Sequence, residues 1–314
     1  MDKRVLDELT ASLRQLSSTE PNDKLVIAGK EIFLDKDNIK SITTAESSES
    51  ITFIDGGNAD LFVTSNFVLS FIRVAATMFE NNQRKQTFKR EFFTIISATD
   101  HGLVASFVGE NKQPLTFSVD DIKDASNLVR RVSELEFASE HLNSDYVVLD
   151  GDFTTKHELE REHLQKLSEL TNQSGKGLAA LAKTSRLLTK SNKSASSALH
   201  STFAECSGFL ELDILEPKTH FAKLHEKSNY CFKIETLNIP DSQRIMSLLK
   251  QNSTDPTFLG YPYGLVLVDK LARVTNNEVD YLKTTINTAL GKDAEHLNNN
   301  LSSLNAHSVL DRLG

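Results

Sequence analysis

The chain is poor in cysteine, has no long apolar run and lacks the compact signatures of the common hydrolases, and each absence narrows its chemistry. Cys206 and Cys231 are its only cysteines and have no CxxC spacing, so both are read as ordinary buried thiols. No run of about 18 apolar residues exists, which argues against a transmembrane helix. The N-terminus, Met-Asp-Lys-Arg-Val-Leu-Asp-Glu-Leu, is charged and amphipathic and has no signal-peptide core, so a cytoplasmic protein is expected. Nine histidines are scattered without HExxH or a His–Cys cluster, which argues against zinc. No G-x-S-x-G is present, and Gly175-Lys176-Gly177 lacks the spacing of a Walker A loop.

Positive charge is outnumbered, with 35 Lys and Arg against 43 Asp and Glu. A net charge of −8 does not announce a nucleic-acid binder, but its distribution is uneven. No acidic residue falls between Leu170 and Ala204, while Lys176, Lys183, Arg186, Lys190 and Lys193 do. Arg84, Lys85, Lys89 and Arg90 form a second basic cluster. Such stretches can draw a polyanion to one face, or can simply be solvated surface.

What is present reads as a large soluble α/β chain of 314 residues, without internal repeats. Residues 1–18 fit an amphipathic helix, and short strands follow around 25–28 and 31–34. Ser50–Asp55 reads as a strand, Gly56-Gly57-Asn58 as a tight turn and Ala59–Thr64 as its partner strand. Further strands are expected at 67–78, 91–98, 103–108 and 115–117. Asp120–Leu142 is the clearest helix, with Asp120 or Asp121 as its cap, and leads directly into the strand Tyr146–Leu149. Helices are expected at 156–173 and 177–188, followed by a Ser-rich loop. A hairpin over 220–237, a helix at 241–251 capped by Asp241, a turn cluster at 260–264 that launches Leu265–Val274, and a segment 276–290 complete the regular structure. The Asn- and Ser-rich tail from Gly291 is expected to be partly disordered.

Two apolar runs end in Asp-Gly: Ile-Thr-Phe-Ile-Asp55-Gly56 and Val-Val-Leu-Asp150-Gly151. Side by side in one sheet they would bring two carboxylates together, a ready site for Mg²⁺ or Mn²⁺ and for phosphate chemistry. Each aspartate could equally be only the turn residue after a strand. A third carboxylate could come from Glu134 or Glu136 on the preceding helix; being two positions apart, they point to different sides. Lys183, in the apolar run 177–183, either snorkels to solvent or reaches a phosphate.

Phe53-Ile-Asp55-Gly-Gly-Asn58, Val147-Val-Leu-Asp150-Gly151, Gly177-Leu-Ala-Ala-Leu-Ala-Lys183-Thr-Ser-Arg-Leu187 and Gly260-Tyr-Pro-Tyr-Gly-Leu265 stand in the order seen in NurA nucleases, which the chain resembles from about residue 50 to 280. His220-Phe-Ala-Lys223-Leu-His225 and Tyr230-Cys-Phe-Lys-Ile-Glu235 add to the resemblance. It implies an α/β fold with an RNase H-like mixed β-sheet core, flanking helices and helical additions. It also implies a Mn²⁺-dependent (or Mg²⁺-dependent) 5′→3′ exonuclease and single-strand endonuclease acting on DNA in end resection and double-strand break repair. Asp55, Glu134 and Asp150 would be metal ligands, Lys183 a phosphate- or nucleophile-positioning group, and Asp269 a fourth ligand. The implied partners are a HerA-like hexameric ATPase and a second copy of the chain, with no membrane. The division that follows is an N-terminal segment 1–45 for dimer or partner contacts, a nuclease domain 46–290 and a polar tail 291–314. The alternatives are a non-catalytic adaptor of the same fold, or an ATP-binding phosphotransferase of the actin and sugar-kinase type.

Overall fold

The computed structural model describes residues 2–17, 24–27, 29–43, 48–64, 66–119, 122–203 and 206–294. The expected caps Asp120 and Asp121, and most of the polar tail, lie outside these residues. The chain opens with helix α1 (Lys3–Ser17), a small hairpin of β1 (Lys24–Ile27) and β2 (Lys30–Phe33), and a short strand β3 (Ile39–Ser41). Three long antiparallel strands follow, β4 (Ser50–Val63), β5 (Phe67–Glu80) and β6 (Gln83–Thr99), then β7 (Gly102–Val108) and β8 (Leu115–Phe117). Helix α2 (Ile122–Glu140) leads into β9 (Tyr146–Asp150), and α3 (Glu158–Gln173) into β10 (Gly177–Ala182). After α4 (Ala195–Phe203) come β11 (Gly208–Leu212), β12 (Lys218–Lys223) and β13 (Phe232–Leu237). Helices α5 (Ser242–Gln251), α6 (Tyr263–Ala272) and α7 (Asn276–Leu290) close the chain.

Eleven strands form one sheet, ordered β3-β11-β12-β13-β10-β9-β4-β5-β6-β7-β8. At its centre β4, β9 and β10 run parallel, and every other pairing is antiparallel. Parallel neighbours need a crossover, and α2 and α3 supply them. This is the mixed α/β, RNase H-like core with flanking helices that the sequence resemblance implies.

Side chains alternate across a strand, so the central strands feed two cores. Ile54, Leu149 and Ala180 pack with Val129, Val132 and Leu135 of α2 and Leu167 of α3. Phe53, Val148 and Leu181 face the other way, onto Ile245 and Leu249 of α5 and Leu265 and Val268 of α6. Each large side chain fully buried in this manner contributes about 1.5–3 kcal/mol. The two-residue period therefore assigns the functional side chains to faces: Asp55 and Asp150 share a side with Phe53 and Val148, beneath α6.

The structure corrects four expectations. Gly56-Gly57-Asn58 is not a turn, because β4 continues straight through it to Val63. The segment 177–188 does not form a helix: Gly177–Ala182 is the fully buried strand β10, held between β9 and β13. A short apolar run of small residues carries no periodic signal that separates a buried strand from a helix. Part of the expected Ser-rich loop is helix α4, whose Ala195, Leu199 and Phe203 are buried. Cys206 is exposed, and only Cys231 is a buried thiol.

The basic clusters are largely paired. Lys85 meets Glu80, Lys89 meets Glu91, and Arg90 meets Glu110 and Glu140. Lys176 lies beside Asp145, and Lys190 beside Glu31. No described helix is long and apolar enough to cross a membrane.

Candidate active site

Strand pairing sets the first two carboxylates. Ile54 of β4 stands opposite Leu149 of β9 in a parallel register, so the next residue on each strand, Asp55 and Asp150, falls side by side on the α6 face. β9 ends at Asp150, and Gly151 turns the chain with a φ of +107°, a conformation that favours glycine. β4 does not end, and its two glycines serve close approach. A Cβ on Gly57 would run into the Ala272 carbonyl of α6, and one on Gly264 into the Phe53 ring. These contacts press α6 onto β4 and bring in Asp269, one turn before Arg273, with which it pairs at 2.8 Å. Asparagine 252 fixes the start of α6, its carbonyl and side-chain oxygen accepting from Tyr263 N and Gly264 N at 2.7 Å each.

The result is a carboxylate cluster. One oxygen each from Asp55, Asp150 and Asp269 lies within 4.8 Å of the others. Lys183 follows β10 on the same face and donates to Asp150 Oδ2 at 2.8 Å, while its Nζ also lies 5.4 Å from the centroid of the Tyr261 ring. The Tyr261 hydroxyl donates to Asp150 Oδ1 at 3.4 Å. The Lys183 side chain is about half exposed, and its ammonium is bound to the cluster.

Glu134 arrives from the opposite face of the sheet. It is almost fully buried and passes over Gly56, where an added Cβ would lie 2.7 Å from its Oε1. Arg130 and Arg131 both donate to it, the latter at 2.8 Å. Arg130 also donates to the Gly56 carbonyl, and Arg131 to that of Asp152. Glu136 points away, into a separate network with Lys112 and His163. A groove of about 770 Å³ runs outward from Glu134 and Asp150 past Arg130, Arg131, Lys156 and His157.

Electrostatics reflects the crowding. Burial, reinforced by the nearby Glu134 and Asp150 charges, pushes the Asp55 carboxyl up to about 8. Partial burial opposes the charge on Lys183, but its hydrogen bond to Asp150, together with the attraction of Asp150, Asp269 and Asp55, outweighs this and raises its pKa. Burial, with the neighbouring aspartates, holds the Tyr261 phenol protonated far above its ordinary range. Three oxygen ligands with so little compensating charge suit a hard divalent cation such as Mg²⁺ or Mn²⁺.

The NurA domain model matches residues 49–274, which span strands β4 to β13 and α6. The chain belongs to the NurA family. All of the clustered residues fall within the NurA match. Among solved structures, the chain is similar to the NurA nuclease from Sulfolobus solfataricus, with a TM-score of 0.56 and 14% identity over 93% of this chain and 98% of that one. The catalytic domain of human endonuclease V also aligns, with a TM-score of 0.40 and 13% identity over 91% and 99% of the two chains. At these identities the likeness concerns the fold. Comparison with curated proteins finds no significant match.

Sequence reasoning missed Tyr261. The only signal was the Gly260-Tyr-Pro-Tyr-Gly264 cluster, which reads as a turn until β13 and α6 are seen to place its tyrosine over Asp150.

Proposed function

We propose that this NurA-family chain is a divalent-metal-dependent deoxyribonuclease that hydrolyses phosphodiester bonds. The observation that carries the reading is the convergence of Asp55, Asp150 and Asp269 within 4.8 Å, in a family whose structurally similar member is a nuclease. These three aspartates would hold the metal, with Glu134 as the further carboxylate beside Asp55. Divalent ions held there would neutralise a phosphate and lower the pKa of an attacking water. The protein's own groups do the positioning. Lys183 holds Asp150 and presents a cation to the phosphate, the protonated Tyr261 hydroxyl holds the other Asp150 oxygen, and Arg130 with Arg131 fixes Glu134.

In its finer form the proposal is a 5′→3′ exonuclease and single-strand endonuclease using Mn²⁺ or Mg²⁺. It would act as a homodimer with a HerA-like hexameric ATPase in DNA end resection and repair. Residues 46–290 would form the nuclease domain, with 1–45 available for dimer or partner contacts and 291–314 as a tail. The apolar stripe Val5, Leu6, Leu9 and Leu13 of α1, exposed on the described chain, is compatible with such contacts. A motor that feeds DNA to the site would relieve an acidic nuclease of much of the grip on its substrate.

The test is cleavage of end-labelled DNA in EDTA, Mg²⁺ or Mn²⁺, with and without the partner ATPase. Metal-dependent cleavage that disappears in Asp55→Ala and Asp150→Ala, with the fold and dimer retained, is the expected result. Full Mn²⁺-dependent cleavage by both variants would sink the reading.

A further inference from the structure

Beside the carboxylate cluster, Tyr261 leads into three further aromatic rings, Phe232, Phe258 and Tyr230, that the proposed chemistry does not use. Tyr261 meets Phe258 and Phe232 edge-on, with centroids 5.3 and 5.2 Å away. Tyr230 stacks on both, at 5.2 Å and 18° to Phe258 and at 6.1 Å and 26° to Phe232. Burial changes sharply across the group. Phe232 and Tyr261 are core residues at 2% and 3% exposure, whereas Phe258 and Tyr230 remain 40% and 52% exposed. The core is therefore already closed by the inner rings, and the outer pair extends it as an open stack.

The stack is held rigidly. Tyr230 sits on the loop between β12 and β13, and Phe258 on the loop before α6. Gly260, at a φ of +88°, lies so close to Ser228 that a Cβ there would collide with its side chain. The Ser228 hydroxyl in turn accepts from Tyr230 N at 3.1 Å, and Ser228 N donates to the His225 carbonyl at 3.0 Å. On the other loop, the Asp255 carboxylate accepts from Thr257 N at 2.8 Å. The two loops lock each other, so the rings are positioned before anything binds and little ordering cost remains.

We propose that Tyr230 and Phe258 form a stacking platform for an unpaired nucleobase of the strand entering the carboxylate site. The proposal rests on the nuclease reading and adds to it a base-binding subsite for single-stranded nucleic acid. Three observations select this occupant. An exposed ring stacked on another ring offers a flat π surface, which any nucleobase matches whatever its sequence. Phe258 touches Tyr261 directly and Tyr230 reaches it through Phe258, and the Tyr261 hydroxyl contacts Asp150, so a base stacked there is within a few nucleotides of a phosphate at the cluster. Lys183, bound to Asp150 and lying over the Tyr261 ring, places a cation on the cluster beside the ring that leads to the platform. A paired duplex end keeps its bases stacked within the helix, so the platform favours a strand already separated or frayed.

The test uses the full chain in EDTA, so that binding is read without cleavage. The probe is a short single-stranded oligonucleotide carrying 2-aminopurine, with a matching strand that has an abasic site in its place. Wild-type protein should quench the 2-aminopurine fluorescence on binding. Tyr230→Ala and Phe258→Ala should each abolish the quench and bind the strand about tenfold more weakly. Tyr230→Phe and Tyr230→Trp should retain both, which a merely structural role of the hydroxyl would not produce. Both sites are substantially exposed, and circular dichroism of the alanine variants serves as the check that they fold. Wild-type affinity and quench in Tyr230→Ala, or equal affinity for the abasic strand, would overturn the platform. If metal-dependent cleavage persists in that case, the nuclease reading stands without it. A fall in self-association of the alanine variants, with no change in strand binding, would assign the rings to an interface between copies and also overturn the proposal. Wild-type protein that neither binds the strand nor cleaves DNA would remove the nuclease reading and the platform together.

Discussion

Two glutamates of one helix, Glu134 and Glu136, show how far two residues can separate chemical fates. Glu134 is 3% exposed at its side chain, crosses Gly56 and sits beside Asp55, its charge held by Arg130 and Arg131. Glu136 is 22% exposed and pairs with Lys112 of the β7–β8 loop and His163 of α3. A shift of two residues rotates a side chain by about 200° around a helix, so neighbours in sequence serve opposite sides. Glu134 borders the aspartate cluster, where burial and the neighbouring charges push Asp55 up to about 8, while the charge of Glu134 itself is met by two guanidinium groups. Glu136 belongs to a compensated network: burial opposes its ionisation, but hydrogen bonds from His163 and Lys112 hold its pKa below the ordinary value. Both glutamates meet cations of the chain, but only Glu134 does so at the edge of the aspartates proposed to hold a metal.

Removing Glu134 tests this contrast most strongly. Glu134→Ala would leave two largely buried guanidinium groups without their partner, a loss of about 3–5 kcal/mol that lowers the melting temperature and cleavage together. Glu134→Gln keeps the shape and a hydrogen-bond acceptor, so its fold should persist while metal affinity falls about 10–100-fold, read from a Mn²⁺ titration of cleavage. Wild-type Mn²⁺ dependence in Glu134→Gln would show that this carboxylate only anchors the arginines. Gly56→Ala should act in the same direction and more weakly. Its methyl group would stand 2.7 Å from Glu134 Oε1 and must displace that side chain, at a cost of about 1–3 kcal/mol. Cleavage should drop with it, and an unchanged melting temperature would mean that Glu134 moves freely. Glu136→Ala should cost only about 1–2 kcal/mol in thermal unfolding and leave Mn²⁺-dependent cleavage near wild type. Loss of cleavage there would exchange the roles of the two glutamates.

Much of this site was legible from residue order. Apolar strands ending in aspartate marked Asp55 and Asp150, and parallel pairing of β4 with β9 bears out their juxtaposition. The glycines beside them misled. Gly151 is a turn glycine with a positive φ, as its sequence context suggests, but Gly56 and Gly57 lie mid-strand and are small because Glu134 and the Ala272 carbonyl need their space. That need arises from helices packed on opposite faces, α2 some 70 residues downstream and α6 some 210, and no local pattern encodes it. The same holds for β10. Its Leu-Ala-Ala-Leu run has the composition of a helix, and only two neighbouring strands decide otherwise. Asp269 and Tyr261 were placed by tertiary packing around Gly264 and Asn252 rather than by any spacing visible in the chain.

The smallest expected effect is the most diagnostic of compensation around Glu136. Its hydrogen bond raises the pKa of His163 above the ordinary value of 6.5, against the opposing effect of burial. A histidine whose pKa is higher in the fold than in the unfolded chain adds stability that is complete below about pH 6.5 and is lost as pH rises through the folded value. Glu136, whose pKa is lowered, adds stability above about pH 4.5 that is lost as pH falls through its folded value. The pair therefore contributes most between those limits. The wild-type advantage over Glu136→Gln in unfolding free energy, read from thermal melts, should be greatest near pH 5.5 and should shrink by about a few tenths of a kcal/mol towards pH 8, since the pair is partly solvated. Melting in EDTA keeps metal binding out of the comparison. An advantage that is flat from pH 5 to 8 would mean that Lys112 alone carries the Glu136 charge. It would also remove His163 from the network that distinguishes this glutamate from Glu134.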